Sequence, residues 1–325
     1  GHSGRPVGES VPRLDLPAKL IGEPVYIHDL ALPGMLHARV LRPGIPGARL
    51  IEVDESVLTR FEGRVRLWRD GDFLAVTSDS EWMAVKAATA IEPRLRWESP
   101  VLPFDEHSVG AWLREQPTDS KVIAQKPVAA SSAASADSTA FSSPTLDATY
   151  TKPFIAHASL MPSCAVALWE GEHLEVWSHS QGIFNLRADL ALVFPGSSID
   201  VHHSEGAGCY GHNGADDVAA DAALMAKAVG VPVRVQLTRE QEHAWEPKGA
   251  AQWMHVRGGL GPKGQPWGYD FETAYPSNGA PTLALLTLAG DLSTSQPLVA
   301  AGLGVVVVVL MVVLNKIAQK YNNSL

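Results

Sequence analysis

The chain has 325 residues, a length typical of about two domains. Hydrophobic residues make up 46% and charged residues 19%, with nine Trp and 28 Gly, so the composition excludes a disordered or fibrous protein. The net charge of −9, from 26 Lys and Arg against 35 Asp and Glu, argues against a nucleic-acid-binding protein, which needs a basic face.

Residues 24–98 have the pattern of a small α+β unit. A helix is predicted near its end, because Ser78 and Glu81 match a capping box and Pro93 closes the apolar periodicity that follows. Strands are predicted where short apolar runs are bounded by turn residues, at 25–30, 35–41, 49–53, 65–67, 73–77 and 95–97.

Residues 127–145 differ sharply in composition, since twelve of the nineteen are Ala or Ser. Such a stretch predicts a linker or a long surface loop. A second unit begins near Leu146. Its predicted elements are strands at 165–169, 173–178, 199–203 and 231–237, helices at 183–192 and 215–229, and a final strand pair at 252–256 and 267–273.

The C-terminal run 298–314 has no charged residue, and two interpretations stay open. As a helix it would span roughly 26 Å, which suits a membrane span with Lys316 and Lys320 as its cytoplasmic flank. As a strand it would be buried, which its eight valines favour. The membrane span is preferred, because strands rarely exceed about ten residues.

The two cysteines, Cys164 and Cys209, form no Cys-x-x-Cys pair, so a zinc or iron–sulfur cluster held by this chain alone is excluded. A single Cys164–Cys209 disulfide stays open as an alternative.

The sharpest local motif is Gly-Ala-Gly-Cys-Tyr-Gly at 206–211, which fits G-x-G-x-x-G. A dinucleotide site is disfavoured, because Asp216 and Asp217 would place carboxylates where a phosphate should bind; both are expected to cap a helix instead. A metal site built from His202, His203, Glu205 and His212 is disfavoured too, because adjacent strand residues point to opposite faces.

The order of several motifs resembles the molybdenum hydroxylases of the xanthine oxidase and aldehyde oxidase family. Within it, the chain is most similar to large subunits of the nicotinate dehydrogenase and isoquinoline oxidoreductase type. The motifs that carry the resemblance lie at 7–19, 26–43, 157–167, 177–181, 206–211, 246–249 and 275–281.

The resemblance implies an α+β fold with a fixed domain order. Residues 1–23 would be an N-terminal extension and 24–103 a hammerhead domain. A linker at 104–145 would lead to part of a molybdopterin-binding domain at 146–290. Residues 291–325 match no motif of the family, and their apolar run predicts a transmembrane tail.

The resemblance also implies chemistry: hydroxylation of an aldehyde or N-heterocycle with oxygen derived from water. Gln181 would contact an oxygen ligand of molybdenum, and no side chain would bind the metal directly. The glycine-rich loop would let backbone amides approach the cofactor, while Cys209 would pack rather than react. That loop comprises Gly206, Ala207, Gly208, Cys209, Tyr210 and Gly211.

The expected cofactor is molybdopterin, as the cytosine dinucleotide. Iron–sulfur clusters would be carried by a small partner subunit, with a cytochrome c as a further partner. The family's catalytic Glu, in a Gly-Glu motif, does not follow residue 290, so the base is not present and the chain is expected to be incomplete and inactive alone. The alternative is a membrane-tethered, non-catalytic binding or structural module on the same fold. In either case the expected location is the bacterial inner membrane, with the fold facing the periplasm.

Overall fold

The computed structural model describes residues 8, 10–45, 47–101, 104–105, 107–117, 121–123, 146–210, 216–260 and 266–276. The helices are α1 (Leu16–Leu20), α2 (Glu81–Ile91), α3 (Val109–Glu115), α4 (Ile183–Val193), α5 (Asp217–Val229) and α6 (Arg239–Trp245). The strands are β1 (Leu36–Val40), β2 (Arg49–Val53), β3 (Arg66–Asp70), β4 (Phe73–Ser78), β5 (Leu95–Glu98), β6 (Leu146–Lys152), β7 (Cys164–Glu170), β8 (His173–Ser178), β9 (Ser198–His203), β10 (Val233–Gln236), β11 (Gln252–Leu260) and β12 (Pro266–Ala274).

Seven of these strands form one mixed sheet in the order β3-β4-β1-β10-β7-β8-β9. Two neighbouring pairs are parallel, β1 with β10 and β8 with β9, and the others are antiparallel. The parallel β8–β9 pair is the one that positions the candidate site, because both of its strands end at the same edge of the sheet.

Helix α5 covers one face of this sheet and forms the centre of the core. Its inward positions are mostly alanines, including Ala219, Ala222 and Ala226, all fully buried. Side chains this small let the helix lie close to the sheet, where Trp169 Nε1 donates a hydrogen bond to the Ala223 carbonyl at 2.9 Å. The core therefore depends on backbone proximity as well as on large apolar residues such as Leu174 and Val176.

Two smaller sheets flank the main one. Strands β2 and β5 pair and pack with α2 around Leu50, Phe61 and Ile91. Strands β12, β11 and β6 form a three-stranded antiparallel sheet, and α3 packs on it through Gly110 and Thr151.

The predicted mixture of helices and strands is confirmed, with two local corrections. The helix 81–91 is capped by Ser80, whose hydroxyl accepts from Met83 N–H, and not by Ser78, whose hydroxyl accepts from Ser80 N–H instead. The strand predicted at 25–30 is wrong: residues Ile27–Asp29 form a 3-10 turn in which the Asp29 carboxylate accepts from Tyr26 N–H.

The main sheet draws strands from both predicted domains, since β1, β3 and β4 come from the region 24–103 and the other four from 146–290. The domain boundaries themselves stay a prediction. The proposed linker at 127–145 and the apolar run 298–314 lie outside the described residues, and within the described ranges no helix is long and apolar enough to cross a membrane.

Candidate functional site: a cleft at the ends of two parallel strands

A cleft of about 480 Å³ opens where β8 and β9 end. Its size falls in the range of small-molecule and cofactor sites. Three parts of the chain line it: the N-terminal segment, the residues after β8, and the residues at and after the end of β9. The lining residues are Arg13, Leu16, Lys19, Tyr26, His179, Gln181, His203, Glu205, Gly206, Gly208 and Cys209.

Gln181 reaches the cleft because the three residues before it are firmly held. Ser178, His179 and Ser180 are buried, and Ser180 N–H donates to Ser178 Oγ at 3.1 Å. The Gln181 side-chain amide donates to Cys209 Sγ. The structure thus brings the predicted glutamine and the predicted glycine-rich loop together, although the role of each stays a prediction.

The glycine-rich loop follows β9, and its central glycine is required by space as well as by conformation. Gly208 has φ +72°, and a Cβ there would lie 2.7 Å from Leu160 Cβ and 3.0 Å from the Tyr210 hydroxyl. Ala207 contributes its carbonyl, which accepts from Met161 N–H at 3.0 Å. Gly211, the last residue of the motif, lies outside the described residues.

Neither cysteine takes part in a disulfide, so the Cys164–Cys209 bridge left open by the sequence is not formed. Cys209 is exposed in the cleft. Cys164 is fully buried in β7, and burial raises the pKa of its thiol to about 12.

The N-terminal segment brings charged groups to the cleft that the sequence did not indicate. Lys19 Nζ donates to Glu205 Oε2 at 2.8 Å and to Asp15 Oδ2 at 2.7 Å. These hydrogen bonds raise the pKa of Lys19, and the pKa of Asp15 is lowered by its hydrogen bonds to Arg13 and Lys19. Glu205 is also held through its backbone, because its carbonyl accepts from Ile27 N–H at 2.9 Å. No motif could reveal this, since more than 180 residues separate Lys19 from Glu205.

The two histidines at the end of β9 point to opposite sides of the sheet. His203 lines the cleft, whereas His202 stacks on Trp177 with ring centroids 5.2 Å apart. Among the described residues no group of His, Cys, Asp or Glu side chains is arranged to hold a metal ion; His212 lies outside them.

Asp216 does not cap α5 through its side chain, contrary to expectation. Its carboxylate turns inward and accepts from Ser180 Oγ at 3.0 Å, which links α5 to the residue preceding Gln181. Burial, with smaller contributions from the like charges of Asp217, Asp189 and Glu242, raises its pKa to about 7.

Comparison with known proteins identifies the family of this chain. Residues 124–287, about half of the chain, match the family model of the molybdopterin cofactor-binding domain. The chain belongs to that family. The assignment to the xanthine oxidase and aldehyde oxidase group of molybdenum hydroxylases is confirmed.

Individual proteins of known function or structure are also similar to this chain. A subunit of the nicotinate dehydrogenase of Pseudomonas putida is 44% identical over 292 residues, which cover 87% of this chain and 24% of that protein. Quinoline 2-oxidoreductase from Pseudomonas putida 86 has a similar fold, with a TM-score of 0.59 at 18% identity, covering 88% of this chain and 42% of the other. The aldehyde oxidoreductase of Desulfovibrio gigas gives a TM-score of 0.56 at 17% identity, covering 82% and 34%. The molybdopterin-binding chain thus spans about a quarter of the length of its nicotinate dehydrogenase relative.

Proposed function

We propose that the cleft is where the molybdopterin cofactor meets this chain, and that the chain contributes one side of the active site of a hydroxylase acting on aldehydes or N-heterocycles. The observation that carries the proposal is the convergence of Gln181 with Gly206 and Gly208 at one edge of the sheet. An amide side chain beside a glycine-rich backbone suits an oxygen-rich group, because it offers donors without the bulk of side chains.

The donor set of the cleft fits an anionic cofactor. Arg13 and Lys19 add a guanidinium and an ammonium group to the Gln181 amide, and such groups are common partners of phosphate. Both already bond to Asp15, and Lys19 also bonds to Glu205, so a bound phosphate would share them with these carboxylates. When bound, molybdopterin supplies the two-electron redox chemistry for inserting a water-derived oxygen. Gln181 would orient an oxygen on the cofactor, while the buried Ser178–Ser180 segment holds that glutamine in place.

We propose that the cofactor is the cytosine dinucleotide form of molybdopterin. We also propose that an iron–sulfur partner subunit and a cytochrome c accept the electrons. The nicotinate dehydrogenase relative is by its name one subunit among others, which supports an enzyme of more than one chain. An electron carrier outside these 325 residues also suits their two cysteines, since neither an Fe–S cluster nor a Cys-x-x-Cys-His haem attachment can be built from two cysteines so placed.

The test is metal analysis of the purified 325-residue chain, expressed in a host that makes the cofactor. We expect about one equivalent of molybdenum per chain, and about one equivalent of pterin as measured by its fluorescence. Values far below one equivalent would favour a non-catalytic module on the same fold. Dye reduction with aldehydes and N-heterocycles should remain at background for this polypeptide alone. Activity should appear on co-expression with a polypeptide that supplies the rest of the subunit and its base, since a positioned base typically contributes about 10²–10⁴-fold.

Membrane attachment through residues 298–314, with the fold in the periplasm, is a separate proposal that rests on their uncharged sequence. Recovery of the intact chain in the soluble fraction after lysis would contradict it.

A further inference from the structure

The segment 157–163 lies between the glycine-rich loop and helix α6. On the loop side, Met161 N–H donates to the Ala207 carbonyl, and Leu160 occupies the space beside Gly208. The segment is strained, because Ala158 has φ +52°, a left-handed conformation that non-glycine residues rarely adopt. Such a conformation persists only where surrounding contacts hold it.

Those contacts come from α6. The carboxylate of Glu242, a residue only 1% exposed, accepts from Ser163 N–H at 2.8 Å and from Ser163 Oγ at 3.0 Å. Ser159 Oγ lies 3.4 Å from the same carboxylate. One turn earlier on the helix, Arg239 Nη2 donates to the Leu160 carbonyl at 2.6 Å. Helix α6 therefore holds the segment 157–163 at Leu160 and at Ser163.

This use of Glu242 is costly for the fold, since a buried carboxylate must be compensated by hydrogen bonds. Burial raises the pKa of Glu242, and the two Ser163 donors act in the opposite direction. The same two hydrogen bonds that compensate this burial also fix the position of Ser163.

We propose that Glu242 is a positioning residue for the glycine-rich loop: it holds the segment 159–163, and that segment holds the backbone of Ala207 and Gly208 in the conformation that faces the cleft. The role of the loop toward molybdopterin rests on the function proposed above, whereas the mechanical link from Glu242 to the loop does not. Glu242 itself does not line the cleft, so it acts through other residues.

The test is hydrogen exchange of the full chain, followed by mass spectrometry of peptides covering 157–163 and 204–210. In Glu242→Ala, exchange in both stretches should be roughly tenfold faster or more, because hydrogen bonds to a charged group typically contribute a factor of about ten to a hundred in an equilibrium constant. Peptides from α2 and β4 should exchange at the wild-type rate. Unchanged exchange at 204–210 would overturn the proposal.

Glu246 provides a matched control, because it is also buried and lies at the end of the same helix, but its carboxylate bonds to Lys248 Nζ at 3.0 Å. Glu246→Ala should leave 157–163 and 204–210 at the wild-type exchange rate. If it accelerates them as much as Glu242→Ala does, the effect is a general loosening of α6 and the proposal fails.

Two milder variants keep the proposal testable if Glu242→Ala does not fold. Glu242→Gln retains one acceptor for Ser163 N–H and should rescue most of the slow exchange. Ser163→Ala removes the hydroxyl donor to Glu242 and changes no residue of α6. It should accelerate exchange in the same two stretches by a smaller factor. No acceleration there would also overturn the proposal.

Cofactor content separates this proposal from the proposed function. Wild-type protein without molybdenum would contradict the function and leave the exchange results to decide the role of Glu242. If the wild-type protein contains molybdenum, we expect the Glu242→Ala variant to lose it and the Glu246→Ala variant to keep it. Equal molybdenum in both variants would contradict the positioning role alone.

Discussion

At the scale of single residues, the candidate site depends on two positions at which a substitution would alter its geometry. Gly208 combines a left-handed backbone with a contact to Leu160 that leaves no room for a side chain. Asp216 combines burial with a link to the residue before Gln181. The two positions allow separate predictions, one on cofactor retention and one on pH.

Gly208→Val should abolish cofactor retention, because the added side chain meets Leu160 and Tyr210 and must displace the loop. We expect molybdenum per chain, measured by elemental analysis, to fall at least about tenfold, the equivalent of roughly 1.4 kcal/mol. Gly196→Val is the matched control: Gly196 also has a left-handed φ, but a Cβ there meets nothing within 4 Å. The control should lose about 1–2 kcal/mol of stability and keep its molybdenum. Wild-type molybdenum in Gly208→Val would contradict the assignment of the loop.

Asp216 should make the folded protein less stable as the pH rises. Folding raises its pKa from an ordinary value of 3.8 to about 7, so the folded state binds more protons than the unfolded state between these values. The stabilisation is complete below about pH 4 and is lost as the pH approaches 7. Relative to Asp216→Asn, which can still accept from Ser180, the wild type should lose roughly 2–4 kcal/mol between about pH 4 and pH 8.

Urea unfolding of both proteins at several pH values measures this difference. Ser180→Ala removes the hydrogen bond that opposes the shift, so it should move the pH dependence to higher pH. Parallel stability curves for the wild type and Asp216→Asn would show that Asp216 is ionised in the folded protein throughout this range.

At the scale of elements, α5 is joined to the chain that leaves β1 by a buried ion pair. Arg42 Nη2 donates to Asp221 Oδ2, with the two side chains only 11% and 5% exposed. The Arg42 guanidinium also lies over the Trp245 ring, 4.4 Å from its centroid. The segment after β1, helix α5 and the end of helix α6 therefore meet at one charge pair.

Asp221→Ala should cost about 3–5 kcal/mol, because it leaves the Arg42 charge buried without its carboxylate. The double variant Arg42→Met, Asp221→Leu should recover most of this loss, since replacing both charges by apolar groups removes their desolvation cost as well. Urea unfolding with tryptophan fluorescence measures both. A loss below about 1 kcal/mol in the single variant would show that the pair is hydrated in solution.

At the scale of the whole molecule, the main feature is the continuous seven-stranded sheet, which joins the regions on either side of 127–145. The parallel pairing of β1 with β10 joins residues 36–38 to residues 233–235, and both strands contribute to the same core. Sequence composition divides the chain at 127–145, whereas hydrogen bonding and packing join the regions on either side of it.

Cleavage of the chain at a protease site inserted between residues 127 and 145 should therefore not separate the two fragments. They should elute together in size-exclusion chromatography and unfold in one transition, because β1, β10 and α5 share one core. Arg234→Pro in the cleaved protein should release the fragments, since it removes a backbone donor from the side of β10 that pairs with β1. Separation without that substitution would indicate two independent domains.

The sequence by itself determined the elements whose pattern is local. Helices α2, α4 and α5 and most of the strands follow from periodicity and turn residues, and the family follows from motifs in a fixed order. Short polar elements were missed: α6 has only seven residues and a single capping box, too little periodicity to stand out. The capping of α2 was displaced by two residues because Ser78 and Ser80 both satisfy the local preference.

Only the tertiary structure decided which distant residues meet. The parallel end of β8 and β9 brings Gln181 to Cys209, the N-terminal segment brings Lys19 to Glu205, and α6 brings Glu242 to Ser163. The same packing turned Asp216 from a helix cap into a buried acid beside Ser180. Local preferences are worth about 1 kcal/mol at a cap, whereas burial of a charge changes its energy by several kcal/mol. Burial is a property of the whole fold, so no window of sequence contains it.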